Sequence, residues 1–176
     1  MATIRPAGPA DAKAIAFIHV ETWRSTYAGV LPDAYLTSLS VADRTAFWRG
    51  ILSRRDQGMT VVVEDQEAGV VGFGNAGTAR ADGLPADSDW NGEIYTLYLL
   101  PDWHGQGLGR QLMEALFDCL RLARLRRVIL WVLEANPTRF FYEAMGGRLI
   151  ARRSEPFAGV LLDELAYGWT LDPAPR

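Results

Sequence analysis

Apolar side chains along this chain alternate between two periods, and each change of period marks an element. Thr3-Ile4-Arg5 reads as a short first strand. Gly8-Pro9 opens a helix, since proline suits a first helical turn. Ile15, Ile18 and Thr22 then recur at helical spacing through Trp23. Leu31-Pro32 breaks the chain, and a second amphipathic helix is predicted over 41–55, carrying Phe47, Trp48, Ile51 and Leu52. The period then shortens. Thr60-Val61-Val62-Val63-Glu64 is rich in β-branched residues, and Val70-Val71-Gly72-Phe73-Gly74 is the next apolar run. The polar stretch Gln66-Glu67-Ala68-Gly69 between them suits a hairpin connection. Residues 77–91 hold glycine, proline and four aspartate or asparagine residues, which predicts a loop.

The second half is more regular. Residues 94–100 form an apolar, aromatic run that reads as a buried central strand ended by Pro101. A strong helix follows over 107–125, with Leu112, Met113, Leu116, Leu120 and Ala123 on one face. Residues 128–133 predict another buried strand. Asn136-Pro137 predicts a helix start, asparagine as cap and proline first, and Gly146-Gly147 its end. Two strands fit 148–153 and 161–171, and 173–176 reads as a frayed tail. The expectation is one mixed α/β domain over 1–172.

Composition narrows the function classes. Of 176 residues, 49% are hydrophobic and 22% charged, the balance of a globular chain. The net charge of −3 lacks the basic excess of a nucleic-acid binder. No apolar run reaches the ~20 residues of a membrane helix, and the first residues carry no signal-peptide pattern. A soluble cytoplasmic protein is expected. The single cysteine, Cys119, excludes an internal disulfide. With only His19 and His104 as histidines, no metal site is expected.

Between the central strand and the strong helix lies Gly105-Gln106-Gly107-Leu108-Gly109-Arg110. A glycine-rich turn at a helix N-terminus presents unpaired N–H groups and the positive end of the helix dipole, so it suits a phosphate or pyrophosphate. Arg110 can add a charge-assisted contact. A dinucleotide site is the competing reading, and Glu134 stands near where its ribose-binding acid would be. Four residues separate strand from first glycine, however, and the spacing is G-x-G-x-G. The dinucleotide turn follows its strand almost at once and ends differently.

With His104-Gly105-Gln106-Gly107-Leu108-Gly109 and the later block Asn136 with Phe141-Tyr142-Glu143-Ala144-Met145-Gly146, the chain resembles the GNAT superfamily of acetyl-CoA-dependent N-acetyltransferases. The likeness covers nearly the whole chain and is strongest over 93–147. It departs from the family pattern in two places. His104 stands where arginine or glutamine is usual, and Asn136 and Tyr142 are six residues apart where seven is common. The resemblance implies a mostly antiparallel sheet splayed at the cofactor site, acetyl-CoA as cosubstrate, and a homodimer. It implies that Leu97-Tyr98-Leu99 pair with the pantetheine arm and that His104 and Gly105 to Arg110, with Gln106 and Leu108 among them, hold the pyrophosphate. It also implies that Asn136 bonds near the pantetheine or caps its helix, and that Tyr142 sits by the sulfur. The segment from His19 to Tyr27 is similar to a branch that includes polyamine acetyltransferases.

The implied chemistry is attack of an amine on a thioester, with a small-molecule or peptide amine as partner. The amine must be neutral, the carbonyl oxygen needs a fixed donor as it gains charge, and the leaving thiolate needs a proton. Tyr142 is read as the acid and Glu93, at the head of the central strand, as the base; a core tyrosine and a solvated strand-end carboxylate are the alternatives. Trp23, Tyr27 and Trp90 are read as walls of the acceptor pocket, with core packing as the alternative for each. His19 is read as packed mid-helix, Cys119 as buried and inert, and the acidic loop of Asp82, Asp87 and Asp89 as a solvated surface that could attract a cationic amine. A non-catalytic acyl-CoA-binding domain on the same fold is the alternative function.

Overall fold

A computed structural model describes residues 1–54, 58–80, 82–84 and 87–173. Seven strands form one sheet: β1 (Ala2–Pro6), β2 (Met59–Asp65), β3 (Gly69–Thr78), β4 (Gly92–Leu99), β5 (Arg127–Leu133), β6 (Arg148–Phe157) and β7 (Val160–Thr170), in the spatial order β1-β2-β3-β4-β5-β7-β6. Among the described residues five α-helices accompany it: α1 (Ala12–Thr26), α2 (Asp33–Ser38), α3 (Val41–Leu52), α4 (Leu108–Leu122) and α5 (Arg139–Ala144). Every neighbouring pair is antiparallel except β4 with β5. That parallel pair joins at only two positions, Gly92 with Val128 and Glu93 with Ile129. Beyond them the strands diverge, and this fork is the geometric origin of the site.

Each face of the sheet is covered by the helices whose apolar stripes match it. Leu108, Leu112, Met113, Leu116, Phe117 and Leu120 of α4 are buried against Val61, Val63, Val71 and Ile94 on one face. Each such side chain withdrawn from water contributes roughly 1.5–3 kcal/mol. Ala12, Ile15, Ala16 and Ile18 of α1 and Trp48 of α3 cover Val62 and Phe73 on the other. A third cluster gathers Val20, Tyr27, Leu31, Leu36 and Leu39 with Phe157 and Leu162, so the β6–β7 hairpin packs against the end of α1 and against α2.

The boundaries differ from the sequence reading where local geometry decides. β3 continues to Thr78, because Gly77 pairs with Glu93 instead of opening a loop. α4 stops at Leu122, before the predicted 125, and Arg124 takes a left-handed φ of 62°. α2, a single helical stretch after Leu31-Pro32, has too few residues to show a periodic pattern. The last two strands extend to a tight turn over 157–160, where Ala158 and Gly159 both have positive φ. The predicted end of the second helix at 55, part of the 77–91 segment and the tail beyond 173 fall outside the described residues. No helix among the described residues is long and apolar enough to cross a membrane.

Candidate active site

A cleft of about 1110 Å3 follows the fork. At one end it is lined by β4, the turn before α4, and α5. At the other it is lined by the end of α1, by Arg80, Asp82 and Gly83, by β5 and by the β6–β7 hairpin.

The turn presents main-chain donors to the cleft. A short 3-10 turn over Pro101–Trp103 carries the chain away from β4. Gly105 and Gly107 then take left-handed φ values of 73° and 78°, which residues with a Cβ adopt only at a cost. Gly107 caps α4. Among the described residues, none of the main-chain N–H groups from Gly105 to Arg110 donates to a protein acceptor; the first helical bond is Gln111 to the Gly107 carbonyl. No heavy atom lies within 4 Å of where a Cβ at Gly105 or Gly107 would stand, so the space before these donors is open. His104 donates from Nε2 to the Leu99 carbonyl at 2.8 Å, since a carbonyl can only accept. It ties the turn to the strand. Gln106 reaches back to the Asp102 carbonyl, and the Leu108 side chain joins the core. Neither side chain faces the cleft; what these residues offer there is their N–H groups.

Leu97, Tyr98 and Leu99 pair with β3 on one side and line the cleft on the other. Asn136 does not cap α5 as expected. Its Oδ1 accepts from Thr138 N at 2.9 Å in a local turn, so α5 starts at Arg139. Its Nδ2 approaches the Tyr27 hydroxyl at 3.4 Å, linking the turn to α1. Despite the shortened spacing, both Asn136 and Tyr142 line the cleft. Tyr142 is 5% exposed. Burial first, and the nearby Tyr27 second, push its hydroxyl well above the ordinary tyrosine value, so it stays protonated.

The other end of the cleft is aromatic. Trp23 stands 5.2 Å from Tyr27 and 5.9 Å from Phe157, ring centre to ring centre, and donates from Nε1 to the Tyr98 hydroxyl at 2.9 Å. Trp23 and Tyr27 both line the cleft. Behind them His19, 8% exposed, accepts from Trp48 Nε1 and is packed as expected. Two expectations are corrected. Trp90 does not line the cleft: it stacks on Arg127 and packs against Gly168. Glu93, 1% exposed, does not line it either, and both its carboxylate oxygens accept from Arg80. With its lone pairs directed to that guanidinium, it anchors Arg80 and does not face an amine. Cys119 is half-buried in α4, away from the cleft. The sequence reading missed Arg80, Tyr95, Trp131, Arg153 and Phe157, all of which line the cleft. Their spacing carries no motif. Among the described residues no three His, Cys, Asp or Glu side chains cluster as metal ligands.

The acetyltransferase (GNAT) family matches residues 16–146. An uncharacterized N-acetyltransferase of Bacillus subtilis, YuaI, is 34% identical over 96% of this chain and 93% of its own. Two solved structures share the fold: a putative acetyltransferase from Salmonella typhimurium with acetyl-CoA (TM-score 0.71, 21% identity, 100% of this chain and 97% of that one) and the PaiA N-acetyltransferase of Thermoplasma acidophilum in complex with coenzyme A (TM-score 0.72, 16% identity, 97% and 99%). The match spans both the forked sheet and the glycine turn: the chain belongs to the GNAT acetyltransferase family, whose members are acetyl-CoA-dependent acyltransferases.

Proposed function

We propose that this chain transfers the acetyl group of acetyl-CoA to a primary amine of a small molecule or peptide, by direct attack with both substrates in the cleft. The observation that carries the proposal is the row of unpartnered N–H groups from Gly105 to Arg110, opening onto the same cleft as the Tyr142 hydroxyl. The donor set fits the pyrophosphate of a CoA thioester, and the bound structural neighbours support that choice. Gly105, Gln106, Gly107, Leu108, Gly109 and Arg110 would hold the pyrophosphate, and Arg110 would add its charge. Leu97, Tyr98 and Leu99 would align the pantetheine arm along β4, with Asn136 opposite. Acetyl-CoA supplies the activated acyl group.

The protein's own groups do the rest. The β4 main chain presents fixed dipoles where the fork opens, in a site walled off by Trp23, Tyr27 and Phe157. Tyr142, kept protonated by burial, is the proton donor for the departing sulfur. Thiol release from acetyl-CoA, measured against polyamines, amino acids, aminoglycosides and peptide N-termini, tests the reading. Acceptor-dependent release is expected. Tight CoA binding with no release on any acceptor would overturn transfer.

A further inference from the structure

Two residues past the last paired positions of the fork, Glu93 and Ile129, the diverging strands carry Tyr95 and Trp131. Each ring bears a guanidinium. Arg80 Cζ lies 4.8 Å from the Tyr95 ring centre, and Arg153 Cζ lies 4.1 Å from that of Trp131. Each guanidinium also donates to a carboxylate. Glu93 accepts from Nε and Nη2 of Arg80, and Glu164 accepts from Nε of Arg153 at 2.6 Å. The Asp82 carbonyl accepts from Arg153 Nη1 at 3.0 Å. Gly83 lies so close that a Cβ there would stand 2.8 Å from Arg153 Cδ and 3.2 Å from Trp131. All four ring and guanidinium residues line the cleft. Among the described residues, Nη1 of Arg80 and Nη2 of Arg153 have no partner.

Such an arrangement exceeds what stability requires, since solvent-touching ion pairs add little. Stacking and pairing instead fix the orientation of two planar donors, each with an edge left open. Their shape matches a carboxylate better than an ammonium would, and the ordering cost is met before a ligand arrives. Resting on the acetyl-transfer reading above, we infer that Arg80 and Arg153 clamp a carboxylate of the acceptor, so that the acetylated amine belongs to an amino acid or a close analogue. Asp82 and Glu155, also on the cleft wall, then face the cationic end of a zwitterion. A polyamine would leave both guanidiniums unmatched.

The test uses matched acceptors: L-methionine, L-phenylalanine and L-glutamate, each beside its α-carboxamide and its decarboxylated amine, with spermidine as the cationic comparison. The acids should exceed their partners by about 10- to 100-fold in kcat/KM, because a site built for a polar group discriminates strongly against its absence. Calorimetric titration of the same compounds into the CoA-saturated protein, which cannot turn over, should show binding of acids and not of amides. Arg80→Lys and Arg153→Lys keep a charge opposite Glu93 and Glu164 but lose the fork. Each should raise KM for the acids at least about tenfold, with CoA affinity and melting temperature held. Equal or better use of amides, amines or spermidine overturns the clamp, as does unchanged KM in the lysine variants. Absent CoA binding would instead overturn the acetyl-transfer reading. If CoA binds but no acceptor turns over, the titration decides: no binding of the acids overturns the clamp.

Discussion

The two ends of the cleft are made of different material. The end proposed to hold the cofactor is main chain: the N–H groups of the Gly105–Arg110 turn and the open side of β4. Its side chains are mostly tied elsewhere, as His104 is to Leu99 and Leu108 to the core. The end proposed to hold the acceptor is side chain: rings from α1, β4, β5 and the β6–β7 hairpin, with guanidiniums held by carboxylates distant in sequence. A backbone site recognises what is common to every CoA thioester and tolerates change in its side chains. A side-chain site can be rewritten by single substitutions.

The comparison can be broken most severely at Gly107. Gly107→Glu should reduce CoA affinity by at least about 100-fold by calorimetry, since it sets a carboxylate against phosphate and strains a left-handed residue. Gly107→Ala should cost only the strain, about 1–2 kcal/mol. Equal losses would mean that charge at the turn is irrelevant. Where the two ends meet, Tyr142→Phe should lower kcat by about 100-fold or more with CoA affinity unchanged. The raised value of that hydroxyl also predicts no loss of kcat from its ionisation below roughly pH 10. Undiminished turnover in Tyr142→Phe would remove it as the proton donor.

A third test probes the support behind the acceptor wall. Burial, and secondarily the charge of Arg44, lowers His19 from 6.5 to about 4. The unfolded chain therefore takes up a proton below about pH 6.5 that the folded chain refuses until about pH 4. Stability from this group is complete above pH 6.5 and is lost as pH falls toward 4, by about 3 kcal/mol in all. Denaturant melts at pH 7.5 and 5 should show the decline, and His19→Gln should flatten it. The smallest effect sharpens the hairpin's role. Ala158, at φ 50°, strains the turn that carries Phe157 to Trp23. Ala158→Gly should stabilise by under about 1 kcal/mol, raising Tm by about 1–3 °C, once glycine's entropy is set against the relieved strain.

What was legible in the sequence follows the same division. The strand, glycine turn and α4 are local in sequence, so periodicity and glycine spacing revealed them. The Asn136 and Tyr142 block was readable for the same reason. Of the other end only Trp23 and Tyr27 were named, because Arg80 with Glu93 and Arg153 with Trp131 are pairings made by the fold and absent from any window of sequence. Glu93 misled for that reason: a carboxylate at a strand head looks solvent-facing until the segment just after β3 brings Arg80 over it. Trp90 misled likewise, since its partner Arg127 lies on β5. Local breakers also set limits. Arg124 and Ala158 adopt positive φ without the glycine that would announce it.

The two-position contact between β4 and β5 has a mechanical consequence. Backbone bonding across the middle of the sheet is confined to the end near Gly92 and Val128, so four strands on one side and three on the other are stitched at one corner. A ligand arm lying in the fork would act as a removable stitch farther along the seam. Amides of residues 97–99 and 130–133 should therefore exchange with solvent more slowly once CoA is added, and the two panels of the sheet should then open together instead of separately.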